Sequence, residues 1–537
     1  MQSQSSGLRE SPSYLTTSIP YVNGRPHVGH ALEGVQADLF ARYRRQIGRQ
    51  VRLQTGSDDN SLKNVLAAER EGLPVAALVE RNAAEFRRLA DELGVGYDGF
   101  IRTSADPWHA GGVTALWRAC AAAGAIYRRP YRGLYCVGCE QFFSEDELTP
   151  EGLCPEHGTR PELVEEENYF FRLSRYAAQL HALIASGELR IVPEGRRNEV
   201  LAFIAGGLED FSISRSHQRA HGWGVPVPDD STQVMYVWFD ALGNYITALG
   251  YGSREGSTPL YETFWSGAEE RVHVIGKGIL RFHAVYWPAM LLAAGLPLPT
   301  TVFVHGYLTV EGRKIGKSLG NAVDPSELIA RYGADAVRWY LLREVHPTSD
   351  GDFAAARLVD CYNRDIANGL GNLLNRAVAM VHRYRGGAIP AAGVSVPAAD
   401  ALSALASGLP GRIAAAMDAY DPRAALAALW ELVSRANEAV EETAPWALAR
   451  AERAGDAAAG RQLDTVLYAL LEAVRLTAVH LEPFLPGPAA RILVQLGEQD
   501  DTGRPYSERV RWGVLATGRC LAAPAPLFPR LELHSTS

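Results

Sequence analysis

The stretch RPHVGHALEGVQAD, Arg25 to Asp38, decides the fold of the first part of the chain. Apolar residues recur within and after it at three- and four-residue intervals, which predicts an amphipathic helix from Val28 to Gly48. The run YLTTSIP, Tyr14 to Pro20, has the composition of a strand, and Asn23-Gly24 predicts a turn between the two. Strand, turn and helix in this order indicate a doubly wound parallel α/β domain.

His27, Gly29 and His30 form an H-x-G-H tetrapeptide at the predicted start of this helix. A helix N-terminus has unsatisfied N–H groups and a positive dipole end, and both favour a phosphate. The glycine lets a nucleotide approach the backbone, and imidazoles can donate to phosphate oxygens as charge develops. For the tetrapeptide alone, histidines that only cap or pack are the competing interpretation.

A second basic stretch, Lys314-Ile315-Gly316-Lys317-Ser318, places two lysines on one loop with small residues between them. An isolated pair of lysines is typical of solvated surface. Together with H-x-G-H, however, the pair predicts a second contact to the same phosphates.

The pair HVGH and KIGKS resembles the HIGH and KMSKS signatures of the class I aminoacyl-tRNA synthetases. SIPYVNGRPHVGH, MYVWFDALGNYI, HVIGKGILRFHAVYWPAML and VHGYLTVEGRKIGKS are each similar to stretches of the methionyl-tRNA synthetases, and this resemblance runs from about Tyr14 to Leu531. It implies a methionine-tRNA ligase that uses ATP and Mg²⁺ to form methionyl-adenylate. The methionyl group would then pass to the 3′-terminal ribose of tRNA(Met), mostly through positioning and electrostatics.

The resemblance also implies the residues of the site. The catalytic residues would be His27, His30, Lys314 and Lys317. The ATP-binding set adds Gly29, Glu33 and Gly276. The methionine pocket would be formed by Ile19, Tyr21, Trp238, Ala241, Leu242, Tyr245 and His283, with Asp59 on the substrate ammonium. Such a pocket suits a thioether, which accepts at most a weak hydrogen bond, here from Tyr21 or His283.

Cys136-x2-Cys139 and Cys154-x2-His157 have the spacing of a tetrahedral zinc site. Four protein ligands leave no open position for water, so the spacing predicts a structural zinc that holds an insertion too small for its own core. The alternative is free cysteines with a bystander histidine.

Beyond Leu358 the chain is rich in alanine, leucine and arginine at helical spacing, which predicts an all-α bundle. Asn372 and Arg376 are four apart, hence on one helix face. The resemblance implies that these two and Trp446 bind the CAU anticodon, through base edges and stacking. Without it, a surface helix and a buried tryptophan would be preferred. Four arginines predict a locally basic region: Arg364, Arg376, Arg383 and Arg385.

The predicted architecture is a Rossmann-like doubly wound parallel sheet, split by a zinc-knuckle insertion and followed by an all-α anticodon-binding bundle. The predicted segments are a disordered N-terminal tail (1–13), the first half of the catalytic domain (14–115), the insertion (116–230), the second catalytic half (231–304), the KMSKS-loop and stem-contact region (305–360) and the helical anticodon-binding domain (361–537).

Bulk composition narrows the class of protein. The formal net charge of −8 argues against indiscriminate binding of polyanions. Six cysteines are too few for a disulfide scaffold. With a polar N-terminus and no apolar run long enough to span a bilayer, the sequence predicts a cytoplasmic protein. Because no extra dimerisation module follows the bundle, we expect a monomer.

The sequence departs from the family pattern at Ile315 and Gly316, at Asn60 and Ser61, where histidine and glycine are common, and at Gly278, where many relatives have aspartate. These departures fit an alternative, a divergent second copy of the enzyme with a biosynthetic or inhibitor-resistance role. Another alternative is a non-catalytic RNA-binding regulator, which the retained histidines and lysines of both signatures oppose.

Overall fold

The computed structural model describes residues 11–137, 141–143, 145–156, 158–253, 257–310, 312–314, 323–498 and 503–533. The chain forms two compact units. The first comprises the chain up to Ala37, Gln50–Asp91 and Val95–His305, and the second comprises Asp38–Arg49, Glu92–Gly94 and the chain from Gly306.

Thirteen strands of the first unit lie within the described residues. They are β1 Pro12–Thr17, β2 Gln50–Ser57, β3 Gly99–Arg102, β4 Ile126–Cys136, β5 Gln141–Phe143, β6 Glu162–Phe171, β7 Arg190–Val192, β8 Phe211–Ser212, β9 Ser214–Ser216, β10 Pro226–Val227, β11 Asp230–Met235, β12 Glu270–Gly276 and β13 Thr301–His305.

Nine α-helices begin within the described residues up to His305. They are α1 Val28–Gln46, α2 Leu62–Glu71, α3 Val75–Glu92, α4 His109–Ala122, α5 Ala177–Ser186, α6 Glu194–Ala205, α7 Val237–Thr247, α8 Pro259–Tyr261 and α9 Trp287–Ala294. The segments Glu262–Ser266 and Phe282–Tyr286 are π-helical.

The main sheet has six parallel strands in the order β3-β2-β1-β12-β13-β7. Leu15, Val274 and Phe303 in its central strands are fully buried, as expected for a parallel sheet covered on both faces. The strand order reverses between β1 and β12. In such sheets ligands bind at the carboxyl ends of the strands beside the reversal, which is where the H-x-G-H segment follows β1.

The predicted parallel α/β architecture is therefore confirmed, and the predicted helix is present as α1. The segment predicted as an insertion contains a four-stranded antiparallel sheet, β5-β4-β6-β8. It also supplies β7, the edge strand of the main sheet, which pairs with β13 from Thr301 to Phe303. Three residues are too few for the sequence pattern to indicate this strand.

The second unit is mainly helical, which confirms the predicted C-terminal bundle. It contains a small sheet of β14 Leu308–Val310, β15 Arg313–Lys314 and β16 Gly351–Phe353. Its helices are α10 Pro325–Tyr332, α11 Ala334–Arg343, α12 Ala355–Tyr362, α13 Asn372–Arg385, α14 Pro397–Asp418, α15 Pro422–Thr443, α16 Pro445–Arg453, α17 Ala457–Leu481, α18 Pro486–Gln495 and α19 Tyr506–Arg509. Within the described part of the chain, no helix combines the length and apolarity needed to cross a membrane.

Candidate active site

The two histidines of the H-x-G-H segment form a reciprocal cap at the start of α1. Nδ1 of His27 accepts the N–H of Gly29 at 3.1 Å, and Nδ1 of His30 accepts the N–H of His27 at 3.0 Å. The ring centroids are 3.9 Å apart. Capping boxes usually use serine or threonine with glutamate for this pattern. Imidazoles at the helix start therefore satisfy two of its excess donors.

This cap also fixes the tautomer of both rings. A nitrogen that accepts a backbone N–H carries a lone pair, so the neutral rings of His27 and His30 carry their hydrogen on Nε2. A Cβ at position 29 would lie 2.9 Å from Cε1 of His27, so glycine is required for the observed ring position. The arrangement combines two ring donors with a helix N-terminus, the donor set expected for a phosphate.

Glu33 joins the carboxyl ends of two strands beside this helix start. Its Oε1 accepts the N–H of Ser18 at 2.9 Å and the Ser18 hydroxyl at 2.6 Å. Its Oε2 is 2.9 Å from Nε2 of His305, the last residue of β13. Gly276, which ends β12, is opposite His305 in the strand register. The predicted ATP-binding residues Glu33 and Gly276 therefore lie at the sheet reversal.

Two adjacent aspartates follow β2 and have different surroundings. Asp59 is fully buried and accepts the hydroxyl of Ser57 at 2.7 Å, the hydroxyl of Ser104 at 2.6 Å and the guanidinium of Arg102 at 3.1 Å. Asp58 is also buried; its Oδ1 accepts the N–H of Asn60 at 3.1 Å, and its backbone forms an isolated bridge with Tyr21. The carboxylate predicted to hold an ammonium is thus occupied by internal donors, whereas its neighbour adjoins the predicted pocket.

An aromatic cluster lies between the end of β1, α7 and the π-helical segment that precedes α9. Trp238 stacks on Phe282 with ring centroids 3.8 Å apart and 7° between the planes. Tyr21 and His283 meet the same indole edge-on, at 6.4 Å and 6.3 Å. Phe282 was missed by the sequence analysis, although it precedes His283 in a quoted stretch. Its stacking partner identifies it, and sequence spacing alone does not.

His283 and Tyr245 form a hydrogen-bonded pair next to Trp238 in this aromatic cluster. Nδ1–H of His283 donates to the carbonyl of Ile279 at 2.9 Å, so Nε2 accepts the Tyr245 hydroxyl at 2.7 Å. Burial lowers the pKa of His283 to about 4 and raises the pKa of Tyr245 well above its usual value. Both nitrogens of a neutral His283 are thus engaged, which leaves Tyr21 as the predicted donor to a thioether.

The remaining predicted pocket residues lie on the same elements. Ala241 and Leu242 are buried in α7, and Ile19 is half-buried directly after β1. Behind them, His273 accepts the indole N–H of Trp287 at 3.2 Å and is 2.7 Å from the Thr16 hydroxyl. Burial lowers the pKa of His273 well below its usual value. His273 and His283 are therefore neutral near pH 7.

The predicted anticodon residues lie in the second unit and are accessible. Asn372 begins α13 and is exposed, and Arg376, one turn later, pairs with Glu441 of α15 at 2.7 Å. Trp446 is 42% exposed, so the alternative of a buried tryptophan is wrong. An exposed indole, an amide and a guanidinium are side chains that can stack on or hydrogen-bond to unpaired bases.

Carboxylates offset much of the positive charge predicted for this region. Arg364 pairs with Glu344 and Asp365 at 2.8 and 2.9 Å. Arg385 pairs with Glu452 and Asp464 at 3.0 and 2.5 Å. The region is therefore less basic than its arginines suggested.

Comparisons with known proteins agree with this geometry. The family model for class I tRNA synthetases (M) matches residues 13–161 and 153–378, and the model for the anticodon binding domain of methionyl tRNA ligase matches residues 389–536. The chain belongs to the methionyl-tRNA synthetase family. Family membership establishes it as a ligase of the class I aminoacyl-tRNA synthetases.

Individual methionyl-tRNA synthetases are similar over nearly the whole chain. The methionine-tRNA ligase of Mycobacterium leprae is 41% identical over 97% of this chain and 95% of its own length. That of a Nostoc species is 42% identical over 96% and 97%. A solved structure of Mycobacterium tuberculosis methionyl-tRNA synthetase with methionyl-adenylate has a TM-score of 0.91 and 41% identity, and covers 97% of this chain and 100% of the other.

Two features of a methionyl-tRNA synthetase fall only partly within the described residues. Lys314 ends β15 in the second unit, and Lys317 lies outside the described residues. Cys139 and His157 of the predicted zinc set also lie outside them, and the described residues alone contain no cluster of three metal-ligating side chains. The zinc site therefore stays a prediction.

Two of the four predicted zinc ligands, Cys136 and Cys154, lie within the described residues. Cys136 and Cys154 are both buried. Cys136 ends β4 opposite Gln141 of the antiparallel strand β5, and the N–H of Gly158 donates to the carbonyl of Cys154 at 2.8 Å. Sγ of Cys136 is 3.9 Å from Oγ1 of Thr159, so the two turns meet. These residues fit a shared tetrahedral ion.

Proposed function

We propose that this methionyl-tRNA synthetase forms methionyl-adenylate at the carboxyl edge of its parallel sheet and transfers the methionyl group to the 3′-terminal ribose of tRNA(Met). The observation that carries the proposal is the pair of stacked, capped imidazoles of His27 and His30 at the start of α1. The aromatic cluster is near this edge, since Tyr21 follows β1 and His283 follows β12, the two strands beside the reversal.

In the first step a methionine carboxylate oxygen attacks the α-phosphate of ATP, and pyrophosphate leaves. Negative charge grows on the phosphate oxygens, and the Nε2–H groups of His27 and His30 together with the N-terminus of α1 stabilise it. Lys314 and Lys317 would add two ammonium groups to the leaving pyrophosphate. Mg²⁺ bound to the triphosphate of ATP would neutralise part of its charge.

In the second step a hydroxyl of the terminal ribose attacks the carbonyl carbon of the adenylate, and AMP leaves. The aromatic cluster of Tyr21, Trp238 and Phe282 would hold the thioether by dispersion and by burial of its apolar surface. The Tyr21 hydroxyl would donate to the sulfur. The chain's contribution to both steps is to bind, orient and stabilise charge.

Pyrophosphate exchange tests this function directly. The purified chain should exchange labelled pyrophosphate into ATP when methionine is present, and exchange with leucine, valine or no amino acid should stay at background. Methionine-independent exchange would contradict the proposal. The absence of exchange with any amino acid would also contradict it and would favour the non-catalytic RNA-binding regulator considered above.

The two aspartates give a prediction about the substrate ammonium. We expect Asp58→Asn to raise KM for methionine in pyrophosphate exchange by about 10- to 100-fold, because a charged hydrogen bond is lost. Asp59→Asn should act mainly on stability, since its carboxylate is used by Arg102, Ser57 and Ser104.

Thermal unfolding measured beside the kinetics separates these two effects. Asp59→Asn should lower the melting temperature of the protein more than Asp58→Asn does. If Asp59→Asn alone raised KM without loss of stability, the original assignment of the ammonium to Asp59 would be correct.

A second prediction concerns the anticodon. Trp446→Ala should lower kcat/KM for tRNA(Met) by about 5- to 150-fold, the loss expected for one stacked base. Pyrophosphate exchange should be unchanged, because Trp446 lies in α16, outside the catalytic unit. A matched control is Trp108→Ala, since Trp108 is also exposed (44%). An equal effect of both changes on tRNA kinetics would contradict the assignment.

The zinc set completes the proposal. Cys136, Cys139, Cys154 and His157 would hold one structural zinc that fixes the two turns of the insertion. We also propose that the protein acts as a cytoplasmic monomer. Metal analysis and sedimentation equilibrium of the purified chain measure the zinc content and the oligomeric state.

A further inference from the structure

Four hydrogen-bonded side chains form a chain in the first unit, and none of them has a role in the chemistry above. Nδ2–H of Asn60 donates to Oδ2 of Asp240 at 2.6 Å, and Oδ1 of Asp240 is 2.6 Å from Nε2 of His109. Nδ1 of His109 is 2.7 Å from the hydroxyl of Thr247. His109, Asp240 and Thr247 are fully buried.

Close packing of α4 on α7 makes this arrangement possible. A Cβ at Gly112 of α4 would lie 2.4 Å from Cγ2 of Thr247, and one at Gly243 of α7 would lie 2.9 Å from Cγ2 of Val113. Any larger residue at either position would separate the helices. Burial of polar groups is costly unless they are hydrogen-bonded, and this network bonds both carboxylate oxygens and both ring nitrogens.

One hydrogen bond of the network, from Asn60 to Asp240, joins two segments of the proposed methionine site. Asp240 belongs to α7, the helix of Trp238 and other residues of the aromatic wall. Asn60 directly follows the two aspartates. Nδ2 of Asn64 holds the same turn by donating to the carbonyls of both aspartates at 2.9 Å. The network therefore links the carboxylate turn to the aromatic wall.

We infer that Asn60, Asp240, His109 and Thr247 are positioning residues that set the separation between the carboxylate turn and the aromatic wall, and with it the affinity for methionine. The inference rests on the proposed function, because a bound methionine would touch both walls at once through its ammonium and its thioether. A small displacement of either wall then weakens one of the two contacts.

The inference gives Asn60 a role. Asn60 is one of the positions where the sequence departs from the family pattern. Its amide donates to Asp240, so the departure preserves a donor at this point of the network. Ser61, the next departure, caps α2 by accepting the N–H of Lys63 at 3.0 Å. Both departures therefore serve the turn that follows β2.

The test uses Thr247→Val, which removes one hydroxyl at the end of the network remote from the substrate and keeps the shape of the side chain. We expect KM for methionine in pyrophosphate exchange to rise by about 10-fold, with kcat within about twofold of the unchanged protein. The matched control is Thr477→Val. Thr477 is also fully buried, and its hydroxyl donates to the carbonyl of Ala473 within α17, outside this network. Its KM for methionine should stay unchanged.

A second variant tests the connection through Asp240. Asn60→Ala removes the donor at the half-buried end and should also raise KM for methionine. If the four residues act as one unit, the double variant Thr247→Val/Asn60→Ala should raise KM for methionine little more than the larger of the two single changes does. Multiplication of the two separate effects would contradict the inference.

Two failures can be told apart. If the unchanged protein shows no methionine-dependent exchange, the proposed function is wrong. If the unchanged protein exchanges and Thr247→Val has the same KM, or if Thr477→Val raises KM equally, the network is only structural and the inference is wrong.

Discussion

His30→Ala is expected to lower kcat for methionine-dependent pyrophosphate exchange by about 10²- to 10³-fold, the loss typical of one donor to a developing charge. In the structure His30 is held by the N–H of His27, with its ring centroid 3.9 Å from that of His27. KM for methionine should change little, because the His30 ring does not belong to the aromatic cluster proposed to bind methionine. Initial exchange rates at saturating ATP and methionine measure the effect.

A cap-preserving variant separates catalysis from helix stability. His30→Asn keeps a side-chain acceptor for the N–H of His27 but places its donor closer to the backbone, so activity should remain low while stability is retained. His181→Ala, an exposed histidine of α5, is the matched control and should leave kcat unchanged. Recovery of full activity in His30→Asn would mean that His30 only caps the helix.

Glu472→Gln is expected to lower the free energy of unfolding of the second unit by about 3–5 kcal/mol. Glu472 and Arg475 are fully buried and 2.8 Å apart. Oε1 of Glu472 also accepts the N–H groups of Gly513 and Val514 at 2.8 and 3.2 Å. Glutamine keeps the shape but leaves a buried guanidinium without its counter-charge. Urea denaturation followed by circular dichroism measures the loss.

The same substitution on the surface is the control for this effect. Glu431 pairs with Arg412 at 2.7 Å, and its side chain is 54% exposed. Glu431→Gln should change the free energy of unfolding by less than about 1 kcal/mol. Equal losses for Glu431→Gln and Glu472→Gln would contradict the importance of burial for the Glu472 pair.

Periodicity and turn residues were sufficient to predict the architecture. The apolar spacing after His27 placed α1 correctly at its start, and the composition beyond Leu358 predicted the bundle. The edge strand β7 was missed because Arg190–Val192 is too short to carry a pattern. Its position depends on pairing with β13, a contact between residues far apart in sequence.

Site residues were predictable where a sequence motif fixes the backbone. They were less predictable where tertiary packing determines which side chains come together. H-x-G-H indicated a phosphate site, and the capping role named as its competing interpretation is present in the structure as well. The sequence could not distinguish Asp58 from Asp59, because Arg102 and Ser104 approach one carboxylate only through the fold. Phe282 and the network around Asp240 were missed for the same reason: they are defined by tertiary neighbours.

The most direct test of the central claim is the aminoacylation of tRNA(Met) by the unchanged chain, measured with [³⁵S]methionine and compared with a transcript whose CAU anticodon is altered. The account predicts charging of the CAU transcript and a large loss with the altered one. No charging of either transcript, or equal charging of both, would contradict it.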